Sequence, residues 1–251
     1  MKDAVLWERT APTYETQIFD VFKNDKHKKV KEYIKKHANK KSLAVDFGCG
    51  TGKALSLLSP AFKKVMALDI SHKCIEQAKD LSYKNVEFKQ ADLSKKNFSL
   101  PNADFVFCCN VAISDNVERN YNIIKNGLKV LKKGAYAVFV LPSLESHSIS
   151  AQRLIEWHKK DGVPFSKIPK DELEYLKSKD HKTALQGVVK LAGTPIKHYL
   201  LQELYNLLNS KKYSLRAIER LEYEWITEFT SPPKWMLNPY PFDWLVEVKC
   251  I

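Results

Sequence analysis

Asp46-Phe47-Gly48-Cys49-Gly50-Thr51-Gly52 is the stretch of this 251-residue chain whose residue types and spacing are best suited to chemistry. It follows a short apolar run from Leu43 and precedes a helical pattern that starts at Lys53. Glycines at 48, 50 and 52 let a ligand approach the backbone, because no Cβ intervenes. A helix starting there turns unpaired N–H groups toward that ligand. Two further acids close later apolar runs, Asp69 in Ala67-Leu68-Asp69-Ile70-Ser71 and Asp92 in Gln90-Ala91-Asp92-Leu93. Each carboxylate offers two acceptor oxygens to hydroxyl or amino groups. A dinucleotide fingerprint would need glycine at Lys53, and the GxxxxGK[ST] phosphate loop is absent, so neither phosphate pattern is met.

The elements that must hold these acids alternate. Apolar runs predict strands over 43–47, 64–69, 86–90, 104–109 and 135–141. Helical spacing predicts helices over 53–58, 71–82 and 117–131, with Lys132-Lys133-Gly134 as a C-terminal stop. Strand–helix alternation implies right-handed crossovers and a parallel sheet, and the nearly continuous apolar strands suit burial on both faces. All three acids then fall on one sheet edge. Upstream, Ile18, Val21, Phe22, Val30, Tyr33 and Ile34 predict helix over 14–37, with a possible break at Asn24-Asp25. Residues 143–197 interrupt the rhythm with a polar, proline-bearing block that holds helices near 148–160 and 170–179. A helix over 198–211 and strands over 214–227 and 243–250, joined by a proline-rich loop, complete the pattern.

These segments resemble the class I S-adenosylmethionine-dependent methyltransferases over roughly 42–142. Asp46 to Gly52 looks like that family's first motif, D-x-G-x-G-x-G. The resemblance implies an α/β fold with a Rossmann-like, doubly wound, seven-stranded sheet, mostly parallel with a terminal antiparallel hairpin strand. It also implies S-adenosylmethionine as cofactor. The loop of Gly48, Gly50 and Gly52 would lie against the methionyl part, with Asp46 supporting the loop or holding the amino group. Asp69 would accept from both ribose hydroxyls and Ile70 would pack on the adenine. Asp92 would accept from the adenine amino group, with Leu93 against the ring. Asn110, which closes the fourth strand, would border the transferring methyl. Tyr14 looks like the N-terminal aromatic that small-molecule members fold over the cofactor. Asn238-Pro239-Tyr240-Pro241 resembles an amino-methylating motif, but it lies in the late loop instead of directly after the fourth strand, so it reads as a turn.

The resemblance implies a single methyltransferase domain over 1–251. Within it, 1–41 would be a helical lid and 143–197 an insertion on the substrate side. A small-molecule pocket between them would draw on Trp7, Tyr14, His147 and Trp157. The reaction would be in-line methyl transfer driven mainly by proximity, with no catalytic residue identifiable. The formal charge of +12 raises an alternative, an RNA methyltransferase using Lys26, Lys28, Lys29, Lys31, Lys35, Lys36, Lys40 and Lys41. Only five of the 41 basic residues are Arg, the preferred residue for bidentate phosphate contacts, which favours a solvated lysine surface. A third reading is a cofactor-binding protein without transferase activity. Five scattered cysteines suit reduced thiols and a cytoplasmic location. Neither a metal site nor a membrane span is expected, and the oligomeric state is left open.

Overall fold

The computed structural model describes residues 2–173, 177–191 and 193–251. A seven-stranded sheet organises the chain: β1 (Asn39–Phe47), β2 (Phe62–Asp69), β3 (Val86–Gln90), β4 (Ala103–Cys109), β5 (Leu131–Pro142), β8 (Tyr213–Glu222) and β9 (Phe242–Cys250). Their order is β3-β2-β1-β4-β5-β9-β8. Strands β1 to β5 pair in parallel, while β9 runs antiparallel to both β5 and β8. The expected sheet is therefore present. From β1 the chain winds outward to β3 and then returns to β4 on the other side. That reversal places a switch point between β1 and β4, where open α/β sheets bind ligands at the carboxyl ends of their strands.

Side-chain alternation divides the core into two layers. Val106 and Cys108 of β4, with Ala137, Phe139 and Leu141 of β5, pack on one face. Phe105, Phe107, Val138 and Val140 pack on the other. Helices α7 (Val117–Lys129) and α10 (Leu201–Leu208) cover the first face. Helices α4 (Lys29–Lys36), α5 (Leu55–Leu58) and α6 (His72–Lys79) cover the second. Glu247 of β9, 3% exposed, ties α4 to the sheet by accepting from Lys36 Nζ at 2.8 Å and pairing with His37 Nε2 at 2.7 Å.

Several elements differ from the sequence reading, each for a local reason. A helix, α1 (Lys2–Thr10), precedes the expected one, and the helical stretch over 14–37 is broken at Asn24-Asp25 as expected and once more before Val21, giving three pieces: α2 (Tyr14–Gln17), α3 (Val21–Asn24) and α4. Ile18 is extended, and Asp20 caps α3 by accepting from the Lys23 amide at 3.0 Å. Lys28 turns left-handed, at φ 55°, ahead of α4. Lys132-Lys133-Gly134 does not end a helix: α7 stops at Lys129 and β5 starts at Leu131, so these residues form its exposed beginning. In the insertion, α8 (Leu144–Lys160) starts earlier than expected because Ser143 caps it through the Ser146 amide at 3.0 Å. The helix expected near 170–179 falls partly on 174–176, outside the described residues. Its flanks are turns and bends. A short helix α9 (His181–Leu185) and a hairpin of β6 (Val188–Leu191) and β7 (Thr194–Lys197), unforeseen in the sequence, complete the insertion.

None of the described helices is long and apolar enough to cross a membrane. Cys49, Cys74, Cys108, Cys109 and Cys250 are all unpaired.

Candidate active site

Strand β1 delivers Asp46 to the switch point, where it is 2% exposed. Its Oδ2 is buried without a hydrogen-bond partner. Burial, then the nearby Asp69 carboxylate, pushes the Asp46 pKa up to about 8. Beyond it the loop is shaped by glycine. Gly48 and Gly50 adopt φ of 93° and 52°, and the Gly48 and Cys49 amides both donate to the Leu68 carbonyl at 2.8 Å. Added Cβ atoms would strike Val111 at Gly48 and the Tyr14 hydroxyl at Gly50. The loop is thus a cradle that only glycine permits.

Asp69 ends β2 beside this loop. Its Oδ2 accepts from the Gly50 amide at 2.8 Å and its Oδ1 from the Ser71 amide at 2.9 Å. Burial still pushes its pKa up, against those two donors. Each oxygen keeps a second lone pair for an incoming hydroxyl. Asn110 follows β4 in a left-handed conformation at φ 51°, which asparagine tolerates better than most residues. Its Nδ2 donates to Asp243 Oδ2 at 3.0 Å, while its Oδ1 is buried without a partner.

The N-terminal segment roofs this edge. Glu8 accepts from the backbone amides of His72 and Lys73, where α6 begins. Gln77 Nε2 donates to the Ala11 carbonyl at 3.0 Å, and Ala11 is 1% exposed. Lys53 pairs with Glu15 at 3.1 Å and with Asp20 at 2.9 Å. Tyr14 lies over Gly50 with the Trp7 ring 6.4 Å away. Burial, then the charge of Asp69, pushes the Tyr14 hydroxyl far above its usual range, so it is a neutral hydroxyl at any working pH.

The remaining candidates are placed differently. Ile70 is half-buried just past Asp69, and its carbonyl accepts from Gln90 Nε2 at 3.0 Å. Asp92 is already engaged: Ser94 donates to it from its amide at 3.0 Å and from its hydroxyl at 2.7 Å, and Arg119 pairs with it at 3.0 Å. Partial burial opposes ionisation there, yet Ser94 and Arg119 hold its carboxyl below the usual range. Leu93 is 3% exposed in the core, with its carbonyl accepting from Asn126 Nδ2 at 2.7 Å. His147 is buried on α8 with its ring 4.9 Å from that of His198. Trp157 packs against the small cluster of Leu154, Trp225, Phe229 and Met236. An apolar cavity of about 290 Å³ lined by Ile155, Lys159, Val163, Pro164, Phe165 and Ile168 shares no residue with the sheet edge.

The sequence reading passed over Asp243, Tyr223 and Glu228. Tyr223 donates to Asp243 Oδ2 at 2.7 Å, and Ser150 donates to Glu228 Oε2 at 3.2 Å. The only sequence signal was an acid beginning an otherwise apolar strand, between Phe242 and Trp244.

Comparison with known proteins matches residues 44–134 to a family model described as a methyltransferase domain. Residues 44–134 therefore resemble a methyltransferase domain. This span carries Asp46, the glycine loop, Asp69, Asp92 and Asn110. Among curated proteins, none matches the chain. Solved structures share the fold. An S-adenosylmethionine-dependent methyltransferase from Methanosarcina mazei is 22% identical with a TM-score of 0.58, over 87% of this chain and 97% of its own. One from Anabaena variabilis is 11% identical with a TM-score of 0.63, over 100% and 96%. The N-methyltransferase NodS of Bradyrhizobium japonicum, in complex with S-adenosyl-L-homocysteine, is 9% identical with a TM-score of 0.58, over 97% and 98%.

The residues of this sheet edge fit S-adenosylmethionine. A buried carboxyl without a donor, a backbone cradle without Cβ atoms and a strand-end carboxylate with free lone pairs suit its ammonium, methionyl chain and ribose. Asp46 also has a measurable consequence without ligand. An aspartate titrates near 3.9 when unfolded and near 8 here, so the folded state holds the extra proton in between. The Asp46 contribution to stability is fullest below about pH 4 and falls as pH rises toward about 8. Denaturant titrations across that window should show a flatter decline in Asp46→Asn than in the wild type. Equal slopes would show that Asp46 is not protonated on folding.

Proposed function

We propose that the protein transfers a methyl group from S-adenosylmethionine to a small-molecule acceptor. The roof over the glycine loop carries this reading: Tyr14 stands over Gly50 beside the Trp7 ring, and Glu8 pins the same segment to the start of α6, so this edge is covered and not an open groove. The bound sulfonium would supply an already activated methyl, so the residues act mainly by placement. Asp46 would hold the ammonium, Asp69 the ribose, and Gly48, Gly50 and Gly52 the methionyl chain. Tyr14 and Trp7 would exclude water from above. Ile70, Asp92 and Leu93 would border the adenine. The domain reading goes with it: one domain over 1–251, residues 1–41 as the lid and 143–197 as the wall opposite, presenting His147 and Trp157. The unpaired cysteines suit a cytoplasmic, reducing setting.

The lysine-rich N-terminal segment supports a small acceptor over RNA. Lys26, Lys29 and Lys36 are committed to Glu224, Glu219 and Glu247, which reduces the free positive charge of that face. Binding to bulk transfer RNA across a salt series tests the choice. We expect weak binding with a shallow salt slope. Tight binding that collapses steeply with salt would assign the acceptor to RNA.

A further inference from the structure

Asp243 begins β9 at the carboxyl edge, paired with Pro142 of β5 and Leu221 of β8. Its Oδ2 is saturated by Asn110 Nδ2 and the Tyr223 hydroxyl, while its Oδ1 receives no hydrogen bond. Glu228 stands close enough for the Asp243 carboxylate to add, after burial, to its cost of ionisation. Asp243 is half-buried and Glu228 lies at the surface beside it, and the protein packed around each carboxyl pushes both pKa values up. Among the described residues, neither is paired with a Lys, Arg or His. Nearby basic groups are turned elsewhere: Lys26 to Glu224 and the Tyr240 ring, Arg153 to Glu156 and the Asn238 carbonyl, and Arg220 onto the Phe242 ring.

The donors around Asp243 and Glu228 are spent, and the acceptors are not. The Asn110 amide, the Tyr223 hydroxyl and the Ser150 hydroxyl all point at carboxylates. Asn110 Oδ1 is buried with no donor among the described residues. Buried acceptors without donors are costly unless a ligand supplies them. An alcohol, phenol or carboxylate brings one donor or none. An amine brings two or three, with positive charge before it reacts.

We propose that the acceptor is an amine and that Asp243, seconded by Glu228, determines this specificity by holding the amino group beside the transferring methyl. This rests on the methyltransferase reading above. The nitrogen binds as an ammonium and gives one proton to Asp243 Oδ1, which frees its lone pair. That pair then forms the N–CH₃ bond as the S–CH₃ bond breaks, and sulfur keeps the bonding electrons as a neutral thioether. The charge passes from sulfur to the methylated nitrogen, facing Glu228 and the now protonated Asp243.

Two cofactor analogues test this without a known acceptor. S-Adenosylhomocysteine carries neutral sulfur, whereas sinefungin carries a protonated amine where the methyl would be. Calorimetry with the wild-type protein should show sinefungin binding at least about tenfold more tightly. Asp243→Asn, whose carbonyl can still accept from Asn110 and Tyr223, should keep the S-adenosylhomocysteine affinity and lose most of the sinefungin advantage. Glu228→Gln should lose part of it, and serves if the first variant does not fold. Equal affinities in the wild type, or an advantage that survives both substitutions, would overturn the assignment of Asp243. Binding of neither analogue would overturn the cofactor reading beneath it.

Discussion

Asp69→Ala is expected to weaken S-adenosylhomocysteine binding by about a hundredfold or more while the protein stays folded. The magnitude follows from chemistry at the end of β2. Hydrogen bonds to a charged group are worth about 1.5–3 kcal/mol each, and two ribose hydroxyls would share this carboxylate. The same side chain already holds the Gly50 and Ser71 amides, so its removal also loosens the cradle. Those amides lie at a ligand-accessible edge, where water can replace the lost acceptor. The structural cost is therefore small, about 1–2 kcal/mol, and a thermal melt should fall by only a few degrees. Calorimetry on the folded variant reads the first effect and the melt reads the second. Unchanged affinity would remove Asp69 from the ribose site.

Gly48→Ala carries the second large effect, and here fold and binding fail together. Gly48 sits at φ 93°, outside the left-handed basin that other residues can enter. Its new Cβ would also strike the Val111 side chain. Backbone strain of this kind costs about 1–3 kcal/mol before the collision is counted. The melting temperature should drop by roughly 4–8 °C, and S-adenosylhomocysteine affinity should fall by about tenfold or more. Adding Val111→Ala relieves the collision but not the backbone strain, so the double variant should recover part of the loss. Identical melting and binding in Gly48→Ala would show that the loop is not held in this shape.

The sheet and the glycine loop were legible because their signals are contiguous. Apolar runs of strand length, a Gly-rich turn and a strand-end acid each occupy a few adjacent residues, and alternation with helices orders them. The N-terminal segment was misread because Ile18, Val21 and Phe22 keep helical spacing across breaks set by single residues. Asp20 can cap a helix or lie within one, and nothing in the sequence marks Lys28 for a left-handed turn. Lys132-Lys133-Gly134 resembles a helix stop, but the strand pairing of Leu131 with Ala103 prevails. Asp92 had a family role to fill, and the sequence could not show that Arg119, from a helix 27 residues later, would pair with it. Asp243 was the most consequential omission. It lies 133 residues from Asn110, and only the return of β9 alongside β5 makes them neighbours.

Isothermal titration of the folded wild-type chain with S-adenosylmethionine and with S-adenosylhomocysteine tests most directly whether the crevice between β1 and β4 binds S-adenosylmethionine. Saturable binding of both at one site per chain, lost in Asp69→Ala, is the expected result. Folded protein that shows no binding of either would contradict it.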